Sequence, residues 1–115
     1  MMKFKFENAD EAYGILEVDP SQVFENLNSV KIIDVRSEEE FTGELSHIQG
    51  AELLPLGFLP EQIDAISKEQ AIVFVCRSGG RSAQATAFAK QMGFEDVYNM
   101  RGGMILWNDL GLKTE

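Results

Sequence analysis

The chain has 115 residues, 44% hydrophobic and 25% charged, which is the composition of one ordinary globular domain rather than of a disordered segment. Ten Lys and Arg against 19 Asp and Glu leave a formal net charge of -9, which repels phosphate backbones and anionic membranes and argues against a nucleic-acid binder. The longest apolar run, Ala71–Cys76, falls far short of the about 20 residues of a membrane span, and no apolar core follows Lys3 and Lys5 as a secretory leader requires. The protein is therefore expected to be cytoplasmic, with no nucleic acid and no membrane among its partners.

Residues 1–14 are polar, with Phe4 and Phe6 set among Lys3, Lys5 and Glu7. They read as an N-terminal extension or edge strand ahead of a single domain over 15–115. A first strand is predicted over Ile15–Val18. Asp19-Pro20 marks a helix start with proline at the first helical position, and Val23, Phe24 and Leu27 follow at helical spacing. Lys31–Val35 predicts a short buried strand running into Asp34-Val35-Arg36. Ser37 and Glu40 form a capping-box pattern, and Phe41 is expected to tuck that helix against the core. Gly43 and Gly50 bracket a loop containing His47. Ala51–Leu54 predicts another strand, and Leu59, Ile63 and Ile66 another helix with Pro60 near its start. Ala71–Val75 is β-rich without alternation, the signature of a strand buried on both faces in the middle of a parallel sheet. From Ser82, the residues Ala85, Phe88, Ala89 and Met92 trace one helical face, ended by Gly93. Glu95–Asn99 supplies a last strand, and Gly102-Gly103 opens a short helix carrying Trp107 and Leu110. The alternation of strand and helix defines an α/β fold, a central parallel sheet of about five strands flanked by helices, with long enough crossovers between strands.

Ligands of such sheets bind beyond the carboxyl ends of the strands, where Asp34, Arg36 and Cys76 fall. Cys76 is the single cysteine and His47 the single histidine, so neither an internal disulfide nor a multi-cysteine metal site can form. A lone cysteine is commonly a small buried hydrophobe. Here Cys76 is followed by Arg77-Ser78-Gly79-Gly80-Arg81 and a helix starting at Ser82. Paired glycines allow a tight turn with inward-facing amides. A helix N-terminus attracts anions, and Arg77 and Arg81 add two fixed charges. A thiol placed there is expected to react as the thiolate. Packing alone explains neither the arginines nor the glycines.

Asp34-Val35-Arg36, Glu40-Phe41, His47-Ile48-Gln49-Gly50-Ala51, Cys76-Arg77-Ser78-Gly79-Gly80-Arg81-Ser82 and Arg101-Gly102-Gly103 with Trp107 follow one another in an order that resembles the single-domain rhodanese-like sulfurtransferases, over roughly residues 15–112. The resemblance implies a three-layer rhodanese-like fold and a ping-pong reaction without cofactor or metal. Cys76 takes a sulfane sulfur from a donor such as thiosulfate, becomes a persulfide, and passes the sulfur to a thiophilic acceptor. The loop Arg77, Ser78, Gly79, Gly80, Arg81 and Ser82 binds substrate and persulfide, and Arg77 and Arg81 draw in the sulfonate end. Asp34 and Arg36 either support the loop or form an ion pair that only holds the scaffold. His47 reads as a structural hydrogen-bonding residue. Related phosphatases and arsenate reductases close Cys-x5-Arg around an oxyanion. Cys76 and Arg81 frame a shorter ring, with Ser82 where the phosphatase arginine falls, which suits one sulfur atom. Two alternatives stand beside the enzyme: a protein-to-protein persulfide carrier, and an inactive regulatory binding module, a type that usually lacks the cysteine. The chain is expected as a monomer or weak dimer.

Overall fold

The computed structural model describes residues 4–115. Six strands, β1 (Asp10–Ala12), β2 (Ile15–Val18), β3 (Lys31–Asp34), β4 (Glu52–Leu53), β5 (Ile72–Val75) and β6 (Val97–Met100), join one sheet in the spatial order β1-β2-β6-β5-β3-β4. All neighbours run parallel except the β1–β2 hairpin. Among the described residues four α-helices connect them, α1 (Pro20–Glu25), α2 (Glu38–Phe41), α3 (Leu59–Gln62) and α4 (Gly80–Gln91), and a fifth, α5 (Gly103–Asp109), follows β6.

β5 is central because every one of its side chains is apolar and buried. Ile72 and Phe74 point to one face, where Leu59, Ile63, Ala85 and Ala89 of α3, the turn after it and α4 close over them. Val73 and Val75 point to the other, against Val23 of α1 and Met104 and Trp107 of α5. The result is three layers with two apolar cores, each fully buried Ile or Val contributing roughly 1.5–3 kcal/mol. Among the described residues no helix is long and apolar enough to cross a membrane.

The structure departs from the sequence expectations in several places. Of the two readings of the N-terminal segment the edge strand is found, and it brings the sheet to six strands: Asp10–Ala12 pairs antiparallel with β2 through a turn at Tyr13-Gly14, both at positive φ. The segment before it is anchored, since Phe6 is buried and meets the Tyr98 ring edge-on at 4.9 Å. α4 begins at Gly80 rather than Ser82, because Gly79 at φ 111° turns the chain into the helix. Met92 is the helix's C-terminal cap and is 42% exposed, since the chain turns at Gly93 before that position reaches the core. Leu110, the corresponding residue after α5, is also exposed. Phe41 does not enter either core; it is half-buried and stacks on His47 at 3.7 Å. The last strand runs over Val97–Met100, starting two residues and ending one residue later than the Glu95–Asn99 expected.

Candidate active site

The two-residue alternation that sends Ile72 and Phe74 toward α4 sends Cys76, just past the end of β5, the same way. Its side chain is 1% exposed. The sulfur is nevertheless bordered by donors: the Gly79 amide donates to Sγ at 3.0 Å, and Ser82 Oγ lies 3.2 Å from it. Gly79 is the N-cap of α4, so this amide is one of the helix's unpaired first donors, at the positive end of its dipole. Of the two glycines only Gly79 adopts a left-handed conformation. Gly80 has ordinary helical geometry and open space around it. Where several loop amides were expected around the sulfur, the amide that donates to Sγ is that of Gly79.

A second helix holds the loop from behind. The first-turn amides of α5 donate outward, Met104 N–H to the Cys76 carbonyl at 2.9 Å and Ile105 N–H to the Arg77 carbonyl at 3.0 Å. Such close approach requires glycine. A Cβ on Gly103 (φ 56°) would stand 2.4 Å from the Arg77 oxygen.

Arg81 lies in the first turn of α4, and its guanidinium is committed to Glu40. Nη1 donates to Oε1 at 2.7 Å and Nη2 to Oε2 at 2.8 Å. The Arg81 guanidinium is the main reason the Glu40 carboxyl is held well below its ordinary 4.5, at about 2. Glu40 also accepts from the Ser37 amide at 3.1 Å and so completes the capping box of α2. One carboxylate thus ties α2 to the cysteine loop. Arg77 and Ser78 are exposed. Arg77 lines a cavity of about 290 Å³ together with Arg36, Glu39, Glu40 and Glu44.

Asp34 and Arg36 are fully buried and pair with each other: Nε donates to Oδ1 at 2.9 Å and Nη2 to Oδ2 at 2.8 Å. Arg36 also donates to the Ser46 carbonyl at 2.7 Å. Their hydrogen bonds therefore brace the crossover from β3 to β4 rather than the cysteine loop, and Arg36 meets the site only as a wall of the cavity it shares with Arg77. His47 Nδ1 bonds to the Phe41 carbonyl at 2.8 Å in the same crossover.

Two residues linked to the sulfur through Ser82 carry no sequence signal. Asn99 sits on β6, facing α4, and its Oδ1 accepts a short hydrogen bond from Ser82 Oγ. Its Nδ2 donates to Glu17 Oε2 on β2 at 2.8 Å. Their register is direct, Glu17 opposite Asn99. The described residues contain no cluster of His, Cys, Asp and Glu fit to hold a metal ion.

The family described as Rhodanese-like domain matches residues 19–110, and the chain belongs to that family. A sulfurtransferase of Allochromatium vinosum is 37% identical over 92 residues, 80% of this chain and 84% of the relative. The thiosulfate sulfurtransferase GlpE of Pseudomonas aeruginosa is 31% identical over 94 residues, 81% of this chain and 84% of the relative. The crystal structure of a rhodanese-like domain protein from Staphylococcus aureus superposes with a TM-score of 0.74 at 29% identity, covering 86% of this chain and 97% of the other. Fold and family agree with the motif order that starts at Asp34 and ends at Trp107.

Proposed function

We propose that this domain is a sulfurtransferase that carries sulfane sulfur as a persulfide on Cys76. The observation that supports this most is the seating of Cys76 Sγ against the Gly79 amide at the N-terminus of α4, with Ser82 Oγ beside it. In the first half-reaction the Cys76 thiolate attacks the outer sulfur of thiosulfate. An S–S bond forms to Sγ, the S–S bond of the donor breaks, and sulfite leaves with the bonding pair. In the second half-reaction a thiophilic acceptor attacks the bound sulfur and Cys76 leaves as the thiolate. The Gly79 amide stabilises negative charge on sulfur at both stages, as donors aimed at developing charge do in acyl transfer. Arg77, exposed at the cavity, meets the incoming sulfonate.

Charge at the mouth favours a second donor class. Glu40 already neutralises Arg81, and Glu39 and Glu44 line the cavity beside Arg77. A small dianion therefore meets less positive charge than the two arginines of the loop promise. A persulfide on a protein donor, which brings less negative charge to the cavity, is the better match, and sulfur then travels from protein to protein.

Intact mass after incubation with thiosulfate tests the chemistry. The wild type gains one sulfur atom, releases it to cyanide as thiocyanate, and Cys76→Ser does neither. A wild type that stays at its starting mass with both thiosulfate and a desulfurase-bound persulfide refutes the reading. The ratio of the two loading rates decides between the donors.

A further inference from the structure

We infer that Asn99, held by Glu17, positions the proton of the Ser82 hydroxyl and thereby sets the reactivity of the Cys76 sulfur. The inference rests on reading Cys76 as the nucleophile and adds two positioning residues from β6 and β2, neither of which touches substrate.

Ser82 is fully buried, and its hydroxyl has one proton for three acceptors. Cys76 Sγ and the Gly79 carbonyl each lie 3.2 Å away, and Asn99 Oδ1 is closer than either. The direction of the proton depends on which end of the Asn99 amide faces Ser82. Glu17 decides this. A carboxylate only accepts hydrogen bonds, so Nδ2 must face Glu17 Oε2 at 2.8 Å, and Oδ1 must face Ser82. The parallel register keeps Glu17 and Asn99 abreast on the α4 side of the sheet. Arg101 Nη1 stands 4.0 Å from the other Glu17 oxygen, while the rest of the Arg101 guanidinium is bound to Asp10 and Asp19. A line of contacts thus runs from Glu17 at the edge of the core to the sulfur within it.

While Cys76 is a thiol, the hydroxyl gives its proton to Asn99 and turns a lone pair toward the S–H. When sulfur carries charge, sulfur and Asn99 compete for that proton. Asn99 therefore limits how much the hydroxyl quiets the thiolate. A hydrogen bond to the thiolate raises its population but lowers its intrinsic nucleophilicity, with a Brønsted slope of about 0.4–0.5. Removing Asn99 moves these two effects in opposite directions, which a loss of packing does not do.

The rate of alkylation of the free thiol by iodoacetamide, followed across pH, reads this directly and uses no sulfur donor. Its outcome is thus separate from the thiosulfate mass assay. Asn99→Ala is expected to react several-fold faster on the acid limb and several-fold slower on the alkaline plateau. Ser82→Ala is expected to shift both limbs the opposite way. The double variant follows Ser82→Ala, because without the hydroxyl Asn99 has nothing to direct. Glu17→Ala, at a half-buried position, frees the Asn99 amide to turn and moves the profile as Asn99→Ala does, by less. The proposal is overturned if Asn99→Ala scales both limbs alike, if its profile matches the wild type, or if its effect survives in the Ser82→Ala background. Should Asn99→Ala fail to fold, an unchanged Glu17→Ala profile overturns it equally.

Discussion

Glu40 performs two tasks with one carboxylate, capping α2 and clamping Arg81. Its protonation in the folded protein waits until about pH 2, against an ordinary 4.5 in the unfolded chain. A carboxyl depressed on folding contributes stability that is fully present above the unfolded value and is lost as the pH falls through the folded one. Arg81 is 38% exposed and Glu40 29%, so solvent screens the pair and its worth at neutral pH is about 1 kcal/mol. Glu40→Gln is therefore expected to unfold at lower urea than the wild type at pH 7. That gap stays constant above about pH 5 and closes as the pH approaches about 2. A gap that widens on acidification contradicts this account. The same substitution releases the Arg81 guanidinium toward the sulfur and is expected to raise the rate of loading by thiosulfate more than by a persulfide protein.

At the scale of elements, the cysteine loop is gripped between two helix N-termini. α4 offers an amide to the sulfur, and α5 offers two to the loop carbonyls. The contact leaves no room for a Cβ at Gly103, where φ is also positive. Gly103→Ala is expected to cost more than about 2 kcal/mol in urea unfolding and to slow sulfur loading of whatever remains folded. An unchanged midpoint refutes the close approach. Much of this was legible locally. The buried run before Cys76, Pro20 at a helix start, the Ser37 and Glu40 box and the paired glycines at both loops all declare themselves within a few residues. What stayed hidden depends on which strands become neighbours. Glu17 and Asn99 lie 82 residues apart and meet only because β2 adds beside β6. Arg81 finds Glu40 across 41 residues. Asp34 and Arg36 looked equally suited to the loop and to each other, and in the fold two hydrogen bonds inside the buried pair bring the charges together. The start of α4 was misplaced because a left-handed glycine cap carries no side-chain mark.

For the molecule as a whole, the match to the family begins at residue 19, yet residues from 4 to 18 ahead of it are packed into the fold. Phe6 is buried with Tyr98 and Val18, while Asp10 and Asp19 hold Arg101 at the carboxyl end of β6. We propose that residues 4–14 fold with the domain, Asp10–Ala12 being the edge strand that the sequence offered beside an extension. Phe6→Ala is expected to cost about 3 kcal/mol, read as a lower urea midpoint at unchanged slope. A variant as stable as the wild type would return the segment to the role of an appendage.

The grip of α5 on the cysteine loop ties the nucleophile to a segment that gives no group to the sulfur. Met104 and Ile105 donate to the Cys76 and Arg77 carbonyls only while α5 lies docked on the sheet. Whatever loosens that helix therefore slackens the turn beneath the sulfur, so damage done far from the nucleophile reaches it through the main chain.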